Sequence, residues 1–146
     1  MSFESAPPPP PSSMPEPATL AEEKTWSVWS HAGPLVAGLV SLPGFIVPLV
    51  IMLTKGKTSA RIRRNAVESL NFQLTTLIAF IALIIPAWFS LGSISEVDGS
   101  GFGGLLLMIG IAILLGLACL VMQIIAIVRV SNNEDFKYPI NIRIVK

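Results

Sequence analysis

The chain has 146 residues, of which 52% are hydrophobic and only 13% charged, against roughly 25% charged in soluble domains. A soluble domain of this size exposes most of its surface to water and needs more charge than this, so a water-soluble globule is excluded in favour of a protein solvated by a bilayer. The net charge of +1 conceals a clustered layout: Lys55, Lys57, Arg61, Arg63 and Arg64 fill one short stretch, and Arg129, Lys137, Arg143 and Lys146 follow the last apolar segment. Basic clusters beside apolar segments fit membrane topology, and no nucleic-acid partner is expected.

In chain order, residues 1–21 read as a proline-rich tail, with Pro7–Pro11, Pro15 and Pro17. Proline fixes φ and lacks an amide donor, so polyproline II or disorder is expected, with a flexible tail favoured over a docking motif. A helix then starts: Thr19 suits its N-cap, and Glu22 and Glu23 fall in its first turn. Trp26, Trp29 and His31 follow, at a place suited to the headgroup region. From Thr25 to Thr54 no residue is formally charged, but Pro34, Pro43, Gly44 and Pro48 interrupt the run. Ser41-Leu-Pro-Gly44 predicts a bend or break. Gly33, Ala37 and Ser41 recur every four residues, a stripe at which another helix could approach.

After the basic stretch 55–64, Ser59 suits a cap for a helix that continues into the second apolar segment, Ser69–Gly92, where Pro86 predicts a kink. Residues 93–101 are polar, with Glu96 and Asp98 and no lysine or arginine. The third segment, Phe102–Val128, is uncharged throughout. It is ~40 Å long as a helix and spans a ~30 Å hydrocarbon core with tilt. Ala112 and Gly116 form a small-residue pair, continued by Cys119, Gln123 and Ala126. In residues 131–146, Ile140, Ile142 and Ile144 alternate with Asn141 and Arg143, a period of two that predicts an extended segment with one apolar face.

The expected fold is therefore all-α: an integral membrane domain over 22–130 with about three transmembrane helices, the first kinked or broken, and an extended cytoplasmic tail over 131–146. The positive-inside rule places 55–64 and the C-terminus in the cytoplasm. The first segment reads either as one kinked span, with the N-terminus outside, or as a re-entrant hairpin. Two full spans would need ~40 apolar residues, and re-entrant backbone is tolerated only when buried in protein, so the kinked span is preferred.

Polar residues near the cytoplasmic end carry the candidate site. Glu68, Asn71 and Thr75 share one helical face, with Gln73 and Thr76 beside them and Gln123 at similar depth in the third segment. Amides in hydrocarbon are costly unless paired, so these groups face protein. Interhelical hydrogen bonding is favoured over a hydrophilic pocket. Glu68 is expected to pair with Arg64 one turn earlier. His31, the one histidine, stands at an interface where it could titrate or meet a headgroup. It has no second histidine and no CxxC to share a metal with, and no nucleotide or nucleophile motif occurs, so no catalytic residue, metal or cofactor is expected.

Three blocks carry a resemblance: Glu23-Lys-Thr-Trp26 with His31; Arg64-Asn65-Ala-Val-Glu-Ser-Leu-Asn-Phe72-Gln73; and Tyr138-Pro139-Ile-Asn-Ile-Arg143. Over residues 22–146 the chain resembles small bacterial membrane proteins distantly related to the chloroplast inner-envelope import (Tic) channel component. The resemblance implies a helical protein of the bacterial cytoplasmic membrane without known catalysis. The expected role is a non-enzymatic accessory or scaffold, a small subunit or assembly factor that binds other membrane proteins or itself. An oligomeric translocation or channel component is the alternative, and a membrane enzyme using His31 or Glu68 ranks last.

Overall fold

The computed structural model describes residues 15–92 and 101–146. The Pro7–Pro11 run and the acidic stretch with Glu96 and Asp98 lie outside the described residues, as does what was expected of them. The described residues form four α-helices and no strand: α1 (Leu20–Leu39), α2 (Ile46–Leu53), α3 (Ala60–Gly92) and α4 (Phe102–Ser131), with a 3-10 turn at Lys55–Lys57 between α2 and α3.

Helix α1 starts at a reciprocal cap. The Glu22 amide donates to Thr19 Oγ1 at 3.3 Å, and the Thr19 amide donates to Glu22 Oε2 at 2.9 Å. Two otherwise orphaned donors are thereby satisfied. The helix runs through Pro34 and stops at Leu39. Ser41 then takes φ 58°, the left-handed conformation that ends the turn. The break expected at Ser41-Leu-Pro-Gly44 is there, but it reverses the chain rather than kinking it. At the far end of the return, the Ala18 amide donates to the Thr58 carbonyl at 3.1 Å. The two ends of the first apolar stretch thus lie side by side.

The first segment is consequently a helical hairpin. The preferred reading of one kinked span, with the N-terminus on the opposite side from residues 55–64, is corrected. The physical reason is length. The uncharged part of α1, residues 25–39, extends only ~22 Å, against a ~30 Å hydrocarbon core. Two helices, α3 and α4, are long and apolar enough to cross a membrane.

The expected small-residue stripe on α1 is occupied from within the chain. A Cβ on Gly33 would stand 2.2 Å from Val47 Cγ1 of α2, so the hairpin closes only over a bare backbone. Ala37 is buried too, but Ser41 has left the helix and is exposed. Gly33→Val is expected to destabilise the protein by about 1–3 kcal/mol through overpacking. Thermal unfolding in detergent would read this, and Val47→Ala in the same chain should recover much of the loss. A Gly33→Val protein as stable as wild type would show that the hairpin does not close this way.

Helices α3 and α4 pack antiparallel. Gly104 lies beside Ser90, Gly116 faces Phe80, and Thr76 Oγ1 lies 3.6 Å from Cys119 Sγ. The pair Ala112 and Gly116 thus belongs to a face that meets α3, Ala112 being half-buried. Helix α3 continues as one helix through Pro86. Burial is confined to one end. The buried residues of α3 all fall between Ile62 and Phe72, and those of α4 are Gln123, Ala126 and Val130. Trp88, Phe89 and Phe102, at the other end, face outward.

At the end of α4 the chain reverses. Asn133 takes φ 64°. Its amide donates to Val130 O, and the Glu134 amide donates to Arg129 O at 3.0 Å. This is a Schellman cap with asparagine in the position that glycine usually fills. It sends residues 134–146 back along α3 as an extended tail. No strand pairing occurs among the described residues, and Ile140, Ile142 and Ile144, the one apolar face their alternation predicts, are all exposed.

Candidate functional site

The polar face of α3 meets this tail. Glu68, Asn71 and Thr75 fall on one stripe of the helix, and each hydrogen-bonds the backbone of residues 138–145. Glu68 Oε1 accepts from the Tyr138 amide at 2.9 Å and from Asn141 Nδ2 at 3.0 Å. Thr75 Oγ1 accepts from the Ile142 amide at 2.9 Å. Asn71 Oδ1 accepts from the amides of Ile144 and Val145, at 3.0 and 2.7 Å, while its Nδ2 donates to Val145 O at 2.9 Å. An extended segment lacks the internal hydrogen bonds of a helix, and these side chains stand in for the missing partners. Asn71, one of the amides expected to pair between helices, pairs instead with the chain's own C-terminus.

The expected Arg64–Glu68 pair is also corrected. Glu68 is engaged by the tail, and Arg64 Nη2 lies 3.3 Å from Asp135 Oδ2. Both partners are exposed, so this ion pair contributes little stability.

Beneath the tail lies a closed polar chain around His31, which is fully buried. Asn65 Nδ2 donates to Arg61 O at 3.1 Å. That carbonyl can only accept, which orients the Asn65 amide and turns its Oδ1 toward His31 Nε2, 3.2 Å away. Nε2 must then carry the proton, so Nδ1 is left to accept from the Tyr138 hydroxyl at 3.1 Å. Burial, together with the negative charge of Glu68, raises the pKa of the Tyr138 phenol and keeps the hydroxyl a donor. The Tyr138 ring stacks on Phe72 with centroids 3.8 Å apart, and Phe136 meets it edge-on at 5.0 Å. Both ring nitrogens of His31 are therefore used inside the protein. The expectation of a histidine at an interface, open to titrate or meet a headgroup, is corrected.

The other expected site residues are dispersed. Gln73 lies on a different face of α3, against Gly44 of the hairpin, and its Nε2 is buried without a partner. Gln123 is buried on α4, with its Oε1 unpartnered, and does not join the strip. Trp26 stands under Lys55, whose Nζ lies 5.2 Å from the ring centroid. Pro139 is exposed where the tail bends. Arg143 is exposed and, with Lys137 and Lys146, rims a crevice of about 290 Å³ between α3 and the tail. Several residues that hold the site together were not foreseen. Asn141 donates to Glu68, Ser69 Oγ donates to Ser30 O at 2.5 Å, and Ser59, the expected cap of α3, donates in addition to Glu23. Asn141 sits in the polar phase of the tail's alternation, which was the available signal. Ser30 and Ser69 carry none beyond being small.

Such an arrangement is suited to holding a shape. Its histidine is tied at both nitrogens, its carboxylate is taken up by the Tyr138 backbone amide and the Asn141 side chain, and no cluster among the described residues has three or more metal-ligating side chains. The class so defined is a small helical membrane protein with two long apolar helices, a helical hairpin and a tail locked across a polar core. The chain belongs to the MamF/MmsF family, the magnetosome magnetite crystal formation protein family, whose model matches residues 22–145. This overturns the likeness to the Tic channel component, for which the comparisons give no support. The matched residues run from the first turn of α1 to the residue before the C-terminus, so they include the tail. No curated protein and no solved structure matches the chain.

Proposed function

We propose that this chain is an integral protein of the magnetosome membrane and serves magnetite crystal formation as a non-enzymatic accessory, a small subunit or assembly factor of a larger membrane complex. The observation that carries this reading is the family match over residues 22–145, which takes in the whole polar core. That core supports a structural role, because its titratable groups are satisfied by the protein itself. In the proposed orientation the basic turn, the hairpin ends and the tail face the cytoplasm, following the positive-inside rule. Residues 93–101 then face the compartment in which the mineral forms. The translocation reading loses both its supports, the Tic likeness and an open polar cluster.

Deleting the gene in its host and imaging the crystals by electron microscopy tests the proposal. Crystals altered in number or size, and restored by the wild-type gene, are expected. Unaltered crystals would overturn it. For the partner, a pull-down from magnetosome membranes in mild detergent should bring down another membrane protein at fixed ratio. Recovery of this chain alone would remove the complex from the proposal.

A further inference from the structure

The molecule is tapered along its long axis. Its hairpin reaches only part of the way along α3: Pro43, Gly44 and Phe45 at its tip lie beside Gln73, Thr76, Leu77 and Phe80. From Phe80 to Gly92, α3 runs a further ~18 Å. Over that length, α4 is the one helix among the described residues that packs on it. Among the described residues, one half of the molecule therefore contains α1, α2, α3, α4 and the tail, and the other half two helices. Each added helix widens the broad half by about 10 Å.

The tail widens the same half. It dips as far as Thr75, ~10 Å further along α3 than Glu68, and returns to Asn71. Irregular backbone is tolerated at membrane depth only where its polar groups are satisfied by protein. The amides of Tyr138, Ile142, Ile144 and Val145 are all taken by α3 side chains. The tail's outward side chains are apolar: Ile140 is 79% exposed, Ile142 52% and Ile144 53%. Exposed Arg143 falls between them and exposed Lys146 follows, long side chains that can reach headgroups while their stems lie among acyl chains. The basic residues from Lys55 to Arg64 stand at this same end.

We infer that the broad half is a wedge for one leaflet, and that its partner is the phospholipid of a strongly convex, anionic membrane surface. Apolar side chains inserted into a single leaflet favour curvature that spreads that leaflet's headgroups, and basic residues beside them favour anionic lipid. In the orientation proposed above, the broad half lies in the cytoplasmic leaflet. That leaflet is the convex one in a vesicle inside the cell. The inference deepens the magnetosome reading and rests on it for the identity of the vesicle, but its test does not depend on crystals.

The test uses the full chain with a short peptide tag after Lys146, reconstituted in giant vesicles of phosphatidylglycerol and phosphatidylethanolamine. A membrane-impermeant dye labels only molecules whose broad half faces outward. A narrow tether is then pulled, and labelled protein per lipid is compared between tether and vesicle body. Several-fold enrichment in the tether is expected. Equal density or depletion would overturn the wedge, including the case in which a second copy packs on the narrow half and cancels the taper. Ile140→Ser, Ile142→Ser and Ile144→Ser combined leave the hydrogen bonds to α3 intact and should lose part of the enrichment. Enrichment undiminished by them would overturn the part given to the tail. Altered crystals on gene deletion together with uniform tether density would leave the family role standing and remove the wedge alone.

Discussion

Replacing Asn71 with leucine is expected to release the last residues of the chain from α3. One buried side chain accepts from two tail amides and donates to a tail carbonyl, all within 2.7–3.0 Å. Leucine is of similar size but offers neither donor nor acceptor. The Val145 amide and carbonyl are then left without partners, and the Ile144 amide keeps only its bond to Ile142 O, at a cost of about 3 kcal/mol, which corresponds to a ~100-fold change in an opening equilibrium. Hydrogen exchange in lipid nanodiscs should speed up by that order over residues 142–146 and little within α4. Asn71→Asp keeps the acceptor for both amides and loses the donor, so it should fall between. Exchange of the tail unchanged by leucine would mean that Asn71 does not hold it.

His31→Leu is expected to destabilise the whole protein, by roughly 2–5 kcal/mol. The volume is nearly kept, but the Tyr138 hydroxyl and the Asn65 carbonyl, each bonded to a ring nitrogen, are stranded in the core. Replacing both partners of a buried hydrogen bond with apolar groups is often near neutral. Adding Tyr138→Phe to His31→Leu should therefore recover part of the loss, and a double-mutant cycle isolates the coupling. Thermal unfolding in detergent reads all of these proteins. A double mutant no more stable than His31→Leu would rule out the His31–Tyr138 bond as a source of stability.

The two long helices were legible because each is an uncharged run of sufficient length flanked by charge. The polar stripe of Glu68, Asn71 and Thr75 was legible because a helix brings residues three and four apart onto one face. Its partner was not, because tail and stripe lie about 70 residues apart in sequence, as with Asn71 and Val145, and nothing local specifies which backbone a side chain will serve. The alternation of the tail marked one apolar face but not which way it turns; that face is exposed, and the direction is read only once Asn141 is seen on Glu68. The three blocks around His31, Asn65 and Tyr138 were grouped by resemblance. Their physical reason for belonging together is the hydrogen-bonded chain that joins them. The hairpin was misjudged because composition reports apolarity but not direction. Whether the chain turns back is decided by Ser41 and by the bare backbone of Gly33, single residues with no periodic signature.

The hydrogen bond between Ala18 and Thr58 has a bearing on biogenesis. Together with the bond from Arg61 Nη1 to Asn133 Oδ1, it gathers the start of α1, the basic turn and the end of α4 at one pole, while Gly92 and Phe102, where α3 ends and α4 begins, lie at the other. In the orientation proposed above, inserting this chain carries the short piece 93–101 across the bilayer. That piece has no lysine or arginine, and its Glu96 and Asp98 oppose translocation little. The hairpin has only to be lowered partway in from the side on which it was made. Insertion as one helical pair, with the remaining elements folding onto it afterwards, is the order that moves the least charge across the membrane.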